Sequence, residues 1–286
     1  MSSSADVPAS PYPAAGNPVP MRVQSAWIQR RTDAPASTAA RLCLPRMTFD
    51  MATAEDSFQP CWAYVKVVGV DFGALSSPST QDDWISGSAA LEGTFDGTTF
   101  VVTGQSSAPA PQRPDVSVIA PDEVPTCAPP AGGWPKVTSK MLDQFGAVQT
   151  LVRKDKRFGG VRVSHPDIEG NWDPVAIGMQ YQVLEIGYVG ADEDGVRQAV
   201  EKVYDGPYCL QRAEQSMAEM RAQRKQLESG GYDMSAMTLQ SVGEGVDGGT
   251  PVLSFTVDYR TEAFDRMLED LGDPPVRIEA YLEYVD

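Results

Sequence analysis

A chain with one histidine has few routes to acid–base chemistry, and His165 is the only histidine in these 286 residues. Multi-histidine metal sites are thereby excluded. His165 lies in Ser164-His165-Pro166-Asp167, which contains the residue types of a catalytic triad. A triad is defined by geometry, so the types alone do not make one. The strand–turn–helix elbow G-x-S-x-G, which exposes a serine nucleophile, does not occur. The stretch reads as a loop with an exposed histidine.

Other letter patterns weaken on inspection. Gly243-Glu-Gly-Val-Asp-Gly248 matches G-x-G-x-x-G, but a strand-like run follows it where the dinucleotide fingerprint needs a helix. Glu244 and Asp247 would also repel a pyrophosphate. A β-hairpin loop is expected there. Asp71-Phe-Gly73 copies a kinase tripeptide without any other kinase element. Asp82-Asp83 and Asp192-Glu-Asp194 lack the spacing of a calcium loop and read as a solvated turn and a helix cap. No cofactor and no metal is expected.

Two features could meet a partner. Arg153-Lys154-Asp155-Lys156-Arg157 is the one basic cluster, with Arg162 close behind. It reads as a solvated helix end, where positive charge is favourable, or as a contact for an anionic partner. Trp84, Trp134 and Trp172 read either as core or as a platform for a sugar or peptide.

Four cysteines remain: Cys43, Cys61, Cys127 and Cys209. No C-x-x-C occurs, so neither a redox motif nor a structural zinc site is suggested. Three pairings are possible. Placement along the chain favours 43–61 within the N-terminal half and 127–209 between linker and C-terminal half. Four buried free thiols are the alternative.

These residues must be positioned by elements that composition bounds. The chain is 42% hydrophobic and 22% charged, enough for two cores, and its net charge is −16. Binding phosphate backbones requires clustered Lys and Arg, so nucleic acid is not expected as a partner. No run approaches the ~20 apolar residues that span a bilayer. The first residues show no basic segment followed by an apolar stretch. That fits a cytoplasmic protein, or a chain that starts after a removed signal.

Residues 1–20, rich in Ser, Ala and Pro, read as a disordered tail. A β domain is expected over 21–107, a small barrel or sandwich with strands at 22–28 and 63–70. A hairpin is expected over 88–103, turning at Asp96-Gly97 in a type I′ turn. Residues 108–135 hold eight prolines and read as a linker. Over 136–286 strand and helix alternate: helices near 139–152, 194–204, 213–227 and 264–271, and strands at 181–189, 208–212, 237–242, 251–259 and 276–285. Two β-α-β units in tandem predict an α+β, ferredoxin-like domain.

Leu42-Cys-Leu44, Gln59-Pro-Cys61, Val68-Gly-Val-Asp-Phe72, Glu92-Gly-Thr-Phe-Asp-Gly-Thr-Thr-Phe100 and Gly206-Pro-Tyr-Cys-Leu210 resemble a family of exported, lipoprotein-like actinobacterial proteins with no assigned activity. The resemblance covers roughly residues 40–105 and 180–285. It implies an extracytoplasmic setting with disulfides, and members typically carry a lipidated cysteine before a Ser/Pro-rich tether. Here the tail resembles the tether, while the signal is missing. No functional residues carry over.

The expectation is therefore a non-catalytic binding or structural protein of the envelope or exterior, its partner a protein or envelope component. The alternatives are a cytoplasmic acidic inhibitor of a basic partner, suggested by the net charge, and a carboxylate-based enzyme.

Overall fold

A computed structural model describes residues 11–35, 37–44, 61, 63–108, 125–166 and 181–285. The fold is mixed α+β, mostly sheet, with four α-helices among the described residues.

The N-terminal half supplies β1 (Val19–Arg31), β2 (Ala40–Cys43), β3 (Tyr64–Val68), β4 (Ser76–Gln81), β5 (Trp84–Phe95) and β6 (Thr99–Ser106). β1 pairs with both β2 and β5. β2 pairs with β3, β3 with β6 in parallel, and β6 with β5. These pairings run in a closed circuit, with β4 hung on the outside of β5. Alternating side chains point inward, so Met21, Val23, Ile28, Leu42, Val67, Leu91, Phe95 and Phe100 share one core. β1 begins at Val19, earlier than the expected Arg22.

Two turns set this sheet. At the β5–β6 hairpin Asp96 and Thr99 flank Gly97 and Thr98, and only Gly97 has positive φ (+89°). That is the signature of a II′ turn, so the expected I′ turn is corrected. The Asp96 carboxylate is the reason for the shift in frame. It accepts from the Thr98 and Thr99 amides and the Thr98 hydroxyl, acting as turn wall and not as turn centre. Those bonds hold its pKa below the usual carboxylate range. Between β4 and β5 the two central residues are Asp82 and Asp83, both left-handed (φ +48° and +63°). The expected solvated turn is therefore a tight hairpin, and it starts β5 at Trp84.

The C-terminal half repeats one order of elements. α1 (Ser139–Lys154), β7 (Phe158–Ser164), β8 (Val183–Tyr188), α2 (Glu193–Glu201) and β9 (Tyr208–Arg212) form the first unit. α3 (Met217–Ser229), β10 (Leu239–Asp247), β11 (Thr250–Val257), α4 (Glu262–Asp270) and β12 (Val276–Ala280) form the second. Each helix has a polar N-cap: Thr138, Asp192, Ser216 and Thr261 accept from amides of the first turn. Hence Asp192-Glu-Asp194 is a cap, as expected.

The two β-α-β units are formed, but each joins its parallel strands directly, β8 to β9 and β11 to β12, in separate three-stranded sheets. The expected ferredoxin-like sheet would interleave strands of both units. Here a hairpin partner already occupies the far side of β8 and of β11, leaving no slot. Two separate cores result, one around Phe158, Ile186, Val196 and Val200, the other around Phe255, Phe264, Met267 and Met220.

The units dock through glycine. The turn Asp247-Gly248-Gly249-Thr250 has both glycines at positive φ (+51° and +80°), a type I′ hairpin. Its tip accepts a hydrogen bond at the Gly249 carbonyl from Gly160 N (2.7 Å). A methyl group on Gly187 would overlap that same carbonyl, and one on Gly159 would overlap Ala213. So the expected hairpin at 243–248 exists, but most of the G-x-G-x-x-G stretch is strand β10 and only Gly248 turns. Gly187→Ala is expected to destabilise by about 1–3 kcal/mol through overpacking. Gly146→Ala, in α1 with open space around its Cα, is expected to stabilise by about 0.5–1 kcal/mol. Urea midpoints of the two variants should therefore move in opposite directions.

The last strand expected, 276–285, breaks in two. β12 stays in the second unit, and β13 (Glu283–Tyr284) crosses to pair with Met21 and Arg22 of β1. Leu282 is fully buried in the N-terminal core, and Tyr259 meets Phe95 edge-on at 5.0 Å. Burial pushes the Tyr281 phenol up to about 12. Tyr12, in the expected tail, donates to Asp265 on α4. The chain's end is thus packed into the core of its beginning. Among the described residues no helix is long and apolar enough to cross a membrane.

Candidate functional site

One outward face of the first sheet gathers aromatic rings around a guanidinium. Register places Arg41 of β2 between Gln29 of β1 and Lys66 of β3. Tyr64 lies opposite Cys43, which also faces Trp27. The Arg41 guanidinium carbon sits 4.7 Å from the Tyr64 ring centroid and 4.6 Å from that of Trp84. Trp27 and Tyr64 remain 41% and 43% exposed, which is unusual for rings of this size. Cation–π contacts of this kind hold a guanidinium in place. They occupy the faces of its planar group.

The Cys43–Cys61 pair borders the same face. Its Cα atoms are 5.5 Å apart, and Cys61 N donates to the buried Gln29 amide oxygen (3.0 Å). Among the described residues no cysteine is free. Both pairs, Cys43–Cys61 and Cys127–Cys209, lie at disulfide distance, in the pairing expected from chain placement.

The basic cluster has a different character. Arg157 pairs with Asp155 (2.7 Å) and with Asp192 (3.0 Å). Arg157 holds the Asp155 carboxyl below the usual carboxylate range, mainly by hydrogen bonding. Arg153 reaches back to the carbonyl of Gln149, and Lys154 and Lys156 are exposed. The helix-end reading therefore accounts for Arg153 and Arg157. Arg162 lies on β7 and is turned toward Glu185, away from the cluster's role.

Glu185 is the most buried carboxylate among the described residues, with a fully buried side chain. It accepts from Arg162, from Gln211 Nε2 (3.0 Å) and from Thr126 N (2.6 Å). Its neighbour across β9 is Cys209, bonded to Cys127. The carboxylate and the cysteine pair together clamp the segment around Thr126 onto the sheet. Sequence reasoning missed this carboxylate, since Val183-Leu-Glu-Ile-Gly reads as an ordinary strand.

Asp71 caps a single 3-10 turn, its side chain accepting from Gly73 N, with Phe72 beneath Arg30. The ring of His165 contacts the carbonyl of Tyr181. Trp134 is half-buried, and Trp172 lies outside the described residues. Among the described residues no cluster of three or more His, Cys, Asp or Glu could hold a metal. A concavity of about 540 Å³ opens elsewhere, where bulges in β1 and β5 meet. Its cation, Arg22, is already paired with Glu283 (2.9 Å). The cation of the aromatic face, Arg41, is instead stacked on rings and, among the described residues, makes no ion pair.

No family model, curated protein or solved structure matches the chain. What fold and site define is thus a mixed α+β protein with two cysteine pairs at bonding distance and an aromatic–guanidinium face.

Proposed function

We propose that this is a non-catalytic binding protein of the cell envelope or exterior, and that its binding surface is the face formed by Trp27, Arg41, Tyr64 and Trp84. The observation that carries the reading is the stacked Arg41 between two rings, beside a third ring left open to solvent. Aromatic and Arg side chains dominate the energetics of recognition surfaces. Two cysteine pairs at bonding distance favour an oxidising compartment, as does the resemblance to exported lipoprotein-like proteins. The closed pairing circuit supports reading the first sheet as a small barrel, a rigid support for such a face. Glu185 favours a structural role over catalysis, because its carboxylate is already engaged by Arg162, Gln211 and a backbone amide.

A photo-reactive aromatic amino acid in place of Trp27 is expected to label envelope material, while the same group in place of exposed Lys225 on α3 labels little. Equal labelling from both positions would remove the case for this face. Mass mapping of protein taken from its native compartment should find 43 joined to 61 and 127 to 209. Four free thiols there would overturn the exported reading.

A further inference from the structure

We infer that Cys127–Cys209 is a guarded redox clasp: an external thiol opens it by attack at Cys127, and the Glu185 carboxylate opposes the departure of Cys209. Cys209 lies within β9 and is only 2% exposed, whereas Cys127 is half-buried. Thiol–disulfide exchange needs access to the sulfur that is attacked. Access favours Cys127, so Cys209 is the group that must leave. Directly opposite Cys209 in the parallel pairing of β8 with β9 stands Glu185, whose side chain is fully buried. Residues paired in this way share a sheet face, with their strands about 5 Å apart. The same carboxylate accepts from the amide of Thr126, the residue before Cys127 (2.6 Å). Glu185 is therefore placed beside both halves of the bond.

Opening proceeds as two exchanges. A thiolate of a small dithiol attacks Cys127 Sγ and forms a mixed disulfide, and the electron pair of the broken S–S bond leaves on Cys209 Sγ. The dithiol's second thiolate then displaces Cys127 and closes the dithiol's own disulfide. The protein bond gains two electrons, the dithiol loses them, and its two protons end on the two cysteines. A sulfur leaves quickly when it carries negative charge easily. Here that charge forms out of water and beside a second negative charge, and both disfavour it. Arg162 is the cation paired with Glu185. It lies on β7, with β8 between it and Cys209, so the carboxylate stands between the cation and the leaving sulfur. Arg162 thus weakens the repulsion at Cys209 without abolishing it. Opening the clasp would loosen the chain ahead of α1, which Cys127 and Thr126 tie to this sheet.

The test is reduction of the folded full chain by dithiothreitol in mildly alkaline solution, quenched with an alkylating reagent and read by mass as the fraction of 127–209 opened. Glu185→Gln removes the charge and should speed opening by about tenfold. Arg162→Gln leaves the carboxylate uncompensated and should slow opening by about threefold. A clamp that acts only by holding the segment in place predicts a different pattern. Each variant removes a bond of the clamp, so both should then open faster than wild type. In concentrated urea the three rates should converge, because carboxylate and sulfur are no longer neighbours. A monothiol in limiting amount should leave its mixed disulfide on Cys127 of the wild type, which peptide mapping locates. Should Glu185→Gln fail to fold, this trapping and the Arg162→Gln rate still decide. A mixed disulfide on Cys209, an unchanged rate in folded Glu185→Gln, or an Arg162→Gln rate no slower than wild type would each overturn the inference.

Discussion

Replacing Cys127 and Cys209 together by alanine should lower the unfolding free energy by about 4–5 kcal/mol in the chain-entropy description of cross-links. The bond closes the longer of the two loops, with a sequence separation of 82 against 18 for Cys43–Cys61. Loop-closure entropy grows with the logarithm of length, so the shorter loop contributes less, about 3 kcal/mol. Native strain and residual unfolded structure reduce both figures, but the order should hold. Urea denaturation of the two double-alanine variants measures it. A larger loss for Cys43→Ala/Cys61→Ala would mean that the 127–209 link adds little beyond the packing already around it. The Cα separations, 5.5 and 5.9 Å, are ordinary for both pairs, so the comparison is one of loop length.

The second large effect should come from Glu185. Glu185→Leu leaves Arg162, the Thr126 amide and the Gln211 amide without their shared acceptor. Breaking a buried pair from one side costs about 3–5 kcal/mol, because the surviving charge stays desolvated. Arg162 keeps about a fifth of its side chain in contact with solvent, which places the expected loss at the lower end. The paired substitution Arg162→Met/Glu185→Leu should recover much of that loss, since two apolar groups of similar volume can replace an ion pair at little cost. A double-mutant cycle reads the coupling directly. Additive losses would show that Glu185 acts through Thr126 and Gln211 alone. Amide exchange at Thr126 adds a local readout: in Glu185→Leu its protection should fall even in native conditions, because that amide donates to the carboxylate.

Both predictions concern one small region, the sheet face that carries Glu185 and Cys209. The cysteine half of that region was readable in advance. Cys127 sits among prolines and Cys209 in a strand-like run, and a short list of pairings followed from placement alone. Glu185 was not readable. Its burial depends on Arg162 and Gln211 from neighbouring strands and on Thr126 from a distant segment. No local pattern announces such a meeting.

The elements divide in the same way. Helices α1 and α2 were legible because a polar cap precedes each apolar stripe, as Asp192 precedes Val196 and Val200, whereas α3 starts at Met217 and not at the expected 213, because Ser216 caps it. β11 was legible because Leu253, Phe255 and Val257 alternate with polar residues. β4 was not, since Ser76-Ser-Pro-Ser-Thr-Gln81 has no apolar residue and holds only as an edge on β5, where proline is tolerated. β7 opens on Phe158-Gly-Gly, which reads as a turn until the Gly249 hairpin is seen to need that space. β13, two residues long, exists because β1 offers it an edge.

The binding face shows the same limit. Trp84 stood out by residue type, whereas Arg41, Tyr64, Lys66 and Trp27 were ordinary letters in unremarkable strands. Composition, caps and alternation are local, so the sequence by itself determined the α+β class, the tandem β-α-β units, the presence of the four helices and the cysteines free to pair. Register, strand order and the crossing of the C-terminal strand to β1 are long-range. They rest on which surfaces exclude water together, and only the tertiary structure decided that two cations and three rings would share one face.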